Sequence, residues 1–220
     1  GRAMVETQTT RPLPERLVRQ GLRAVLPYPR RFNPLLKLGR LARPLLPAGL
    51  AAKVPAPGRP LPRPDPGRHG RHMLLLEGCV QPGMAPQIND AAVRVLDRLG
   101  IELRAVPRAG CCGALSHHMS AEAEGLDFAR RNIDAWWPEL ERGAEAVVIT
   151  ASGCATMVKD YGHLLRNDPA YAERARRISE RCRDLSEVIR DEDLAALPET
   201  QPRYARIAFH PPCTLQHGQG

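Results

Sequence analysis

The sequence predicts an α/β fold in which a parallel sheet has flanking helices, preceded by a helical, proline-rich basic segment. Two observations predict this fold. Short apolar runs alternate with segments that repeat apolar residues at helical spacing, and a cysteine follows three of these runs within four residues. An alternation of this kind is typical of parallel sheets whose helices pack on the sheet faces.

The predicted elements of the folded region begin after residue 70. The strands are residues 73–77, 101–106, 146–150 and 206–209. The helices are residues 91–99, 121–140, about 154–165, 169–181 and 185–190. Gly100 is predicted to close the first of these helices, and Ser120 to cap the second at its N-terminus.

The first third of the chain is basic and rich in proline. Residues 1–70 hold 13 of the 22 prolines and 14 Lys or Arg against 3 acidic residues, whereas residues 71–220 hold 18 against 21. The net charge of +8 therefore comes from the first third. A basic arm of this kind can contact an anionic membrane or an acidic partner, or it can be a solvated connector. Because no zinc-finger or aromatic–basic pattern accompanies it, we expect no nucleic-acid partner.

Within this basic part, residues 1–46 are predicted to form a helical connector. One helix is expected over residues 13–26, ended by Pro27 and Pro29, and another over residues 33–46, with Asn33 as its N-cap. Residues 47–70 are rich in Pro, Gly and Arg, a composition that favours extended backbone. We therefore expect this stretch to be a linker.

Hydropathy indicates a cytoplasmic chain. No apolar run approaches the roughly 20 residues that a transmembrane helix needs. No apolar stretch followed by a small-residue cleavage site indicates a signal peptide. The six cysteines are therefore expected to be metal ligands or redox groups rather than structural disulfides.

The cysteines follow the predicted strands. Cys79, Cys154 and Cys213 each come just after one strand, and the pair Cys111–Cys112 follows another. Because the carboxyl ends of parallel strands meet at one sheet edge, these thiols are expected to share that edge. Thiolates are the ligands that iron–sulfur clusters and zinc prefer. Cys79, Cys111, Cys112 and Cys154 are predicted cofactor ligands, and Cys213 is a further predicted metal ligand.

Three other interpretations stay open. A zinc site is the first, although the chain lacks the short Cys-x-x-Cys spacing of structural zinc. A nucleophilic cysteine assisted by His117 or His118 is the second, although no nucleophile motif is present. Simple burial of cysteines as small apolar residues is the third, and it is the prediction for Cys182, which lies in a helical pattern among arginines. We predict no catalytic residue in this chain.

Several motifs carry a family resemblance. The spacing of Cys79, Cys111–Cys112–Gly113 and Cys154 resembles the cysteine-rich CCG domain. The segments GCVQPGMAPQIN, AGCCGALSHH, SGCATMVKDYGH and FHPPCTLQHGQ resemble the iron–sulfur subunits of glycolate oxidase, also called glycolate dehydrogenase.

That resemblance implies a redox function. The family relays electrons from flavin-binding subunits, which oxidise glycolate to glyoxylate, to the quinone pool through [4Fe–4S] clusters. It works at the inner face of the cytoplasmic membrane as a peripheral complex. The alternatives are a non-catalytic docking module, or a related redox subunit for lactate, glycerol 3-phosphate or a heterodisulfide.

The chain departs from the family pattern at three places. Met157 stands where the general CCG pattern has its last cysteine. The ferredoxin-like Cys-x-x-Cys runs are missing, and only the opening of a second CCG repeat is present. We therefore predict a fragment with a first CCG domain at residues 71–205 and the start of a second repeat at residues 206–220. We expect such a fragment to be inactive alone.

Overall fold

A four-stranded parallel sheet forms the centre of the chain in the computed structural model, which describes residues 2–198, 206 and 208–218. Its strands are β1 (Arg71–Leu76), β2 (Ile101–Ala105), β3 (Val147–Ile149) and β4 (Cys182–Asp184). The strand order is β2-β1-β3-β4, and all three neighbouring pairs are parallel. The predicted α/β class with a parallel sheet is confirmed.

Helices precede the sheet and connect its strands. Those before the sheet are α1 (Arg2–Gln8), α2 (Leu13–Val25), α3 (Pro29–Ala42) and α4 (Ala48–Ala51). Those that follow β1 are α5 (Gln81–Met84), α6 (Pro86–Arg98), α7 (Ala114–His118), α8 (Glu122–Glu141), α9 (Ser152–Lys159), α10 (Tyr161–Leu164), α11 (Ala172–Arg181), α12 (Leu185–Asp191) and α13 (Cys213–Gln216). Short 3-10 turns lie at Arg43–Leu45 and Leu194–Ala196.

The sheet buries side chains on both faces, because alternate residues of a strand point to opposite sides. From β1, Leu74 and Leu76 enter a core with residues of α8, α9 and α11. Met73 and Leu75 enter a second core with residues of α6 and with Val188 of α12. Trp136 is fully buried in the first core, whereas its neighbour Trp137 is half-buried beneath Arg177. One tryptophan therefore packs inside, as the helical geometry predicts.

The strand order places a crevice between β1 and β3. The chain leaves β1 through α6 to reach β2 on one side, and then returns through α8 to β3 on the other side. In open parallel sheets, ligands bind at the carboxyl ends of the strands where the order reverses in this way. The ends of β1 and β3 lie at this point.

The fourth strand corrects the sequence prediction. The predicted strand at 206–209 lies partly outside the described residues, and Arg206, Ala208 and Phe209, which are described, are not in a strand. Within the described part, the fourth strand is Cys182–Asp184, so the placement of Cys182 inside a helical pattern is wrong. A strand of three residues, with a charged residue at its end, has no apolar run by which the sequence could show it.

Two helix starts also differ from the predictions. The α3 helix begins at Pro29, so Asn33 is not its N-cap and Pro34 lies inside the helix. Ser120 is not the N-cap of α8. Its φ of +59° and the hydrogen bond from the Ala121 N–H to the Ser116 carbonyl (2.9 Å) close the preceding α7 instead.

The basic segment packs against the folded domain. The rings of Tyr28 and Phe128 lie 5.7 Å apart, edge to face, and Arg23 pairs with Glu124 at 2.7 Å. In the linker, Arg63 and the Leu61 N–H both bind the buried carboxylate of Asp90, at 2.7 and 2.9 Å. The corner between α2 and α3 is therefore positioned over the sheet edge.

The described helices include none long and apolar enough to cross a membrane.

Candidate metal centre

Four of the predicted cysteine ligands lie together at the carboxyl edge of the sheet. Cys79 follows β1, and Cys154 lies in the first turn of α9 after β3. Cys111 and Cys112 are carried by the loop between β2 and α7. Parallel strands thus bring to one edge residues that are far apart in the sequence.

The four thiols form a chain of neighbours. The Cys79 thiol interacts with that of Cys111, Cys111 with Cys112, and Cys112 with Cys154. All six cysteines of the chain are free thiols. Cys111 and Cys112 are buried, whereas Cys79 and Cys154 are half-exposed. The site therefore has two inner and two outer sulfur atoms.

Crowding and burial make ionisation of three of the thiols unfavourable. The Cys112 thiol and burial together raise the pKa of Cys111 to about 11. The Cys111 thiol and burial raise the pKa of Cys79 far above its usual range. At Cys112 the Cys111 thiol lowers the pKa, but Cys154 and burial outweigh it, so that this pKa is also raised. Thiolates at Cys79, Cys111 and Cys112 together are therefore unfavourable without a positive charge among them.

Gly113 allows the loop of Cys111 and Cys112 to approach α8 closely. Its φ is +89°, a conformation that favours glycine, and an added Cβ would lie 2.5 Å from the carbonyl oxygen of Gly125. The Gly113 carbonyl accepts the His117 N–H at 3.0 Å and so starts α7. The turn after the cysteine pair is therefore fixed by two glycines in contact.

Buried polar side chains hold the backbone of the cysteine pair. Asn132 accepts the Gly110 N–H at 2.9 Å and donates to the Cys111 carbonyl at 2.9 Å. It also donates to the hydroxyl of Tyr161 at 3.1 Å, which in turn donates to the Cys112 carbonyl at 2.8 Å. Asn132 and Tyr161 are fully buried, so neither exchanges these bonds for water.

A second network connects the ends of β1 and β3. The side chain of Asn89 donates to the Glu77 carbonyl at 3.1 Å and accepts the Thr150 hydroxyl at 2.8 Å. Gln81 donates to Asn89 at 2.6 Å and to Thr150 at 2.7 Å. These bonds tie the loop that carries Cys79 to the strand end that leads to Cys154.

Sequence reasoning missed Asn132 and Asn89 as supports of the site. Each lies in a helix among the apolar residues that face the sheet. An asparagine within an apolar helical stripe was the available signal, because a buried amide must find hydrogen-bond partners.

The other two cysteines lie apart from the chain of thiols. Cys182 is buried at the start of β4, and its thiol donates to the Ala155 carbonyl at 3.7 Å. Cys213 is exposed at the start of α13, which packs on α9 through a 2.7 Å hydrogen bond between Ser152 and Thr214. Met157, at the position where the general pattern has a cysteine, is buried in the core.

The donor set does not form a site for a single metal ion in the described part of the chain. Among the described residues, no three His, Cys, Asp or Glu side chains are grouped so as to hold one metal ion. A four-iron cluster takes four sulfur ligands from a protein, and Cys79, Cys111, Cys112 and Cys154 supply that number. The buried Nδ1 of His117 has no hydrogen-bond partner in the described part of the chain, so this atom does not activate a cysteine.

Comparisons with known proteins show what the chain is similar to. Residues 73–159 match the model of the CCG cysteine-rich domain. The chain is 51% identical over its whole length to the glycolate oxidase iron–sulfur subunit of Escherichia coli (strain K12), of which it covers 53%. It is 28% identical over 72% of its length to a probable glycolate oxidase iron–sulfur subunit of Bacillus subtilis, of which it covers 35%.

A third relative is the lactate utilization protein A of Bacillus licheniformis, with 30% identity over 57% of this chain and 52% of that protein. The chain thus spans about half, or less, of each of these relatives. With its match to the CCG cysteine-rich domain at residues 73–159, the chain is a partial-length homologue of the glycolate oxidase iron–sulfur subunit.

Proposed function

We propose that this chain is part of the electron-transfer subunit of a glycolate-oxidising complex. Cys79, Cys111, Cys112 and Cys154 would hold a [4Fe–4S] cluster. The observation that supports this most strongly is the uninterrupted chain of four thiols at the carboxyl edge of the sheet. When bound, the cluster would supply one-electron transfer.

The residues around the thiols would keep them in place in both redox states. Asn132 and Tyr161 fix the carbonyls of Cys111 and Cys112, so the pair does not rearrange when the local charge changes. The core beneath Cys112 excludes water from the inner side of the site. A rigid, partly dry environment lowers the reorganisation that accompanies electron transfer.

The proposal also includes a route for the electrons. Electrons would come from flavin-binding subunits that oxidise glycolate to glyoxylate, and would pass on to the quinone pool. The complex would lie in the cytoplasm at the inner face of the membrane, with the basic residues 1–46 facing an anionic surface or a partner subunit. The similarity to the E. coli subunit and the net positive charge of this segment support that arrangement.

Anaerobic reconstitution with iron and sulfide tests the ligand assignment. We expect a broad visible absorption and an EPR signal after reduction, both lost in Cys154→Ser. Cys213→Ser is the matched control, because Cys213 is exposed and outside the chain of thiols. If both variants lose the signal equally, Cys213 is a fifth essential cysteine and the assignment is incomplete. If neither loses it, the assignment is wrong.

Dye reduction tests the expectation for the chain alone. We expect no glycolate-dependent dye reduction by the 220-residue chain, since none of its residues is assigned a catalytic function. Activity should require the flavin-binding partner. Turnover by the isolated chain would show that it contains a catalytic site that we have not identified.

A further inference from the structure

A cavity of about 640 Å³ opens beside the cysteine site. Its walls are the corner between α2 and α3, the loop after β1 and the loop that carries Cys111. Four arginines line it: Arg30, Arg31, Arg108 and Arg131. The cavity therefore brings cations from three separate regions of the chain to one concave surface.

These arginines lack carboxylate partners. In the part of the chain that the structure describes, none of the four guanidinium groups forms an ion pair with Asp or Glu. Arg31 binds a backbone carbonyl and lies over the Tyr28 ring, and Arg131 lies over the Phe128 ring. The one acidic residue in the cavity wall, Glu77, is already paired with Arg63 at 2.7 Å. The cavity carries a positive charge that the described residues do not neutralise.

The conformation of Arg108 and the surroundings of Arg131 are consistent with a ligand site. Arg108 has a φ of +78°, which is strained for a residue with a Cβ, and it is exposed at the cavity. Such strain is common at ligand sites and costs stability. The Nε of Arg131 is buried and has no hydrogen-bond partner among the described residues. Nη2 of the same guanidinium donates to the Cys111 carbonyl at 3.3 Å, which holds Arg131 at the cavity wall.

We propose that this cavity binds a small organic anion that carries two or more carboxylate groups. Its volume is within the range of small-molecule sites. The planar guanidinium group donates two parallel hydrogen bonds to a carboxylate, and four such groups can neutralise several carboxylates at once. Because Cys111 is in the cavity wall, the bound anion would lie beside the cysteine site.

Isothermal titration of the 220-residue chain with citrate tests this site, with inorganic phosphate and sulfate as comparison anions. We expect saturable 1:1 binding of citrate that is tighter than that of either inorganic anion. Arg30→Gln and Arg108→Gly should each weaken it at least about tenfold, the loss typical of one charge-assisted hydrogen bond. Glycine at position 108 also relieves the strained φ, so this variant should fold.

Arg94→Gln is the matched control, because Arg94 is exposed on α6, outside the cavity. Its citrate affinity should equal that of the parent chain. The proposal is wrong if citrate does not saturate the chain, or if phosphate binds more tightly. It is also wrong if all three arginine variants lose affinity equally, which would show a general attraction to a basic protein.

Discussion

The buried cysteines at the two edges of the sheet are equally inaccessible to solvent, but they have different neighbouring groups. At the carboxyl edge, Cys111 and Cys112 are 2% and 4% exposed and have thiol neighbours on both sides. At the amino edge, Cys182 is equally buried, but its thiol meets a backbone carbonyl and the apolar core. Burial alone would class all three as core residues.

The difference shows what distinguishes a ligand from a packing residue in this fold. Strand direction decides which edge a residue reaches, and in open parallel sheets ligands bind at the carboxyl edge. The groups that hold the backbone also differ between the two edges. Asn132 and Tyr161 bind the carbonyls of the cysteine pair, whereas Cys182 is held by its strand pairing with Val147.

Replacing a cysteine at each edge should give the largest contrast. Cys112→Ser should lose most of the iron bound after anaerobic reconstitution, because an inner ligand is removed. The Cys182→Ser variant should bind as much iron as the parent chain. Iron analysis of both variants measures this, with circular dichroism as the control for folding. Equal iron loss in the two variants would contradict the assignment of Cys112 as a ligand and Cys182 as a packing residue.

Replacing a glycine at each edge should give the next largest difference, in the free energy of unfolding. Gly113→Ala combines a left-handed φ with an approach of 2.5 Å to the Gly125 carbonyl, so we expect a loss of about 2–4 kcal/mol in the free energy of unfolding. Gly100, at the amino edge before β2, has a φ of +76° but open space around it. Gly100→Ala should cost only about 1–2 kcal/mol. Denaturant unfolding compares the two, and an equal cost would show that the contact with Gly125 does not matter.

The buried hydroxyl at the cysteine edge should matter more than an exposed one. Tyr161→Phe removes the donor to the Cys112 carbonyl and leaves Asn132 with one partner fewer, at an expected cost of about 1–3 kcal/mol. Tyr171→Phe removes an exposed hydrogen bond to Asp134 and should cost less than about 1 kcal/mol. Unfolding of the two variants under the same conditions measures the difference. Equal costs would mean that Tyr161 does not hold the loop.

The last contrast concerns pH and the amino edge. Burial raises the pKa of Cys182 from 9.0 to about 12. Below about pH 9 the thiol is protonated in both states. Above it the unfolded chain loses this proton while the folded chain keeps it, so stability falls by about 1.4 kcal/mol per pH unit until about pH 12.

Cys182→Ala should remove this part of the decline. Unfolding of the parent chain and the variant across this pH range measures the two slopes, and titration at the cysteine edge cancels in their difference. Parallel curves would contradict the raised pKa.

Much of this arrangement was predictable from the sequence. The segments that form β1 and β3 are largely apolar, and β2 alternates apolar and charged residues. All three end near cysteines, so the class of sheet and the shared edge followed from elementary periodicity. Strand β4 was not predictable, because three residues carry no period. The hydrogen bond between Asn132 and Tyr161 was not predictable either, because it depends on packing between two helices.

The cavity was not predictable either. The corner between α2 and α3 reaches the cysteine edge through the contact of Tyr28 with Phe128, residues that are far apart in the sequence. Composition revealed the basic charge of the N-terminal segment, but not which arginines face the site.

Metal analysis of the anaerobically purified chain tests the central claim most directly. Iron, sulfide and zinc are measured on the same sample, and Mössbauer spectroscopy identifies the iron species. The four thiols at the carboxyl edge predict iron and inorganic sulfide in equal amounts, with the spectrum of a [4Fe–4S] cluster and no zinc. Stoichiometric zinc, or a chain that binds no metal, would contradict the assignment of Cys79, Cys111, Cys112 and Cys154.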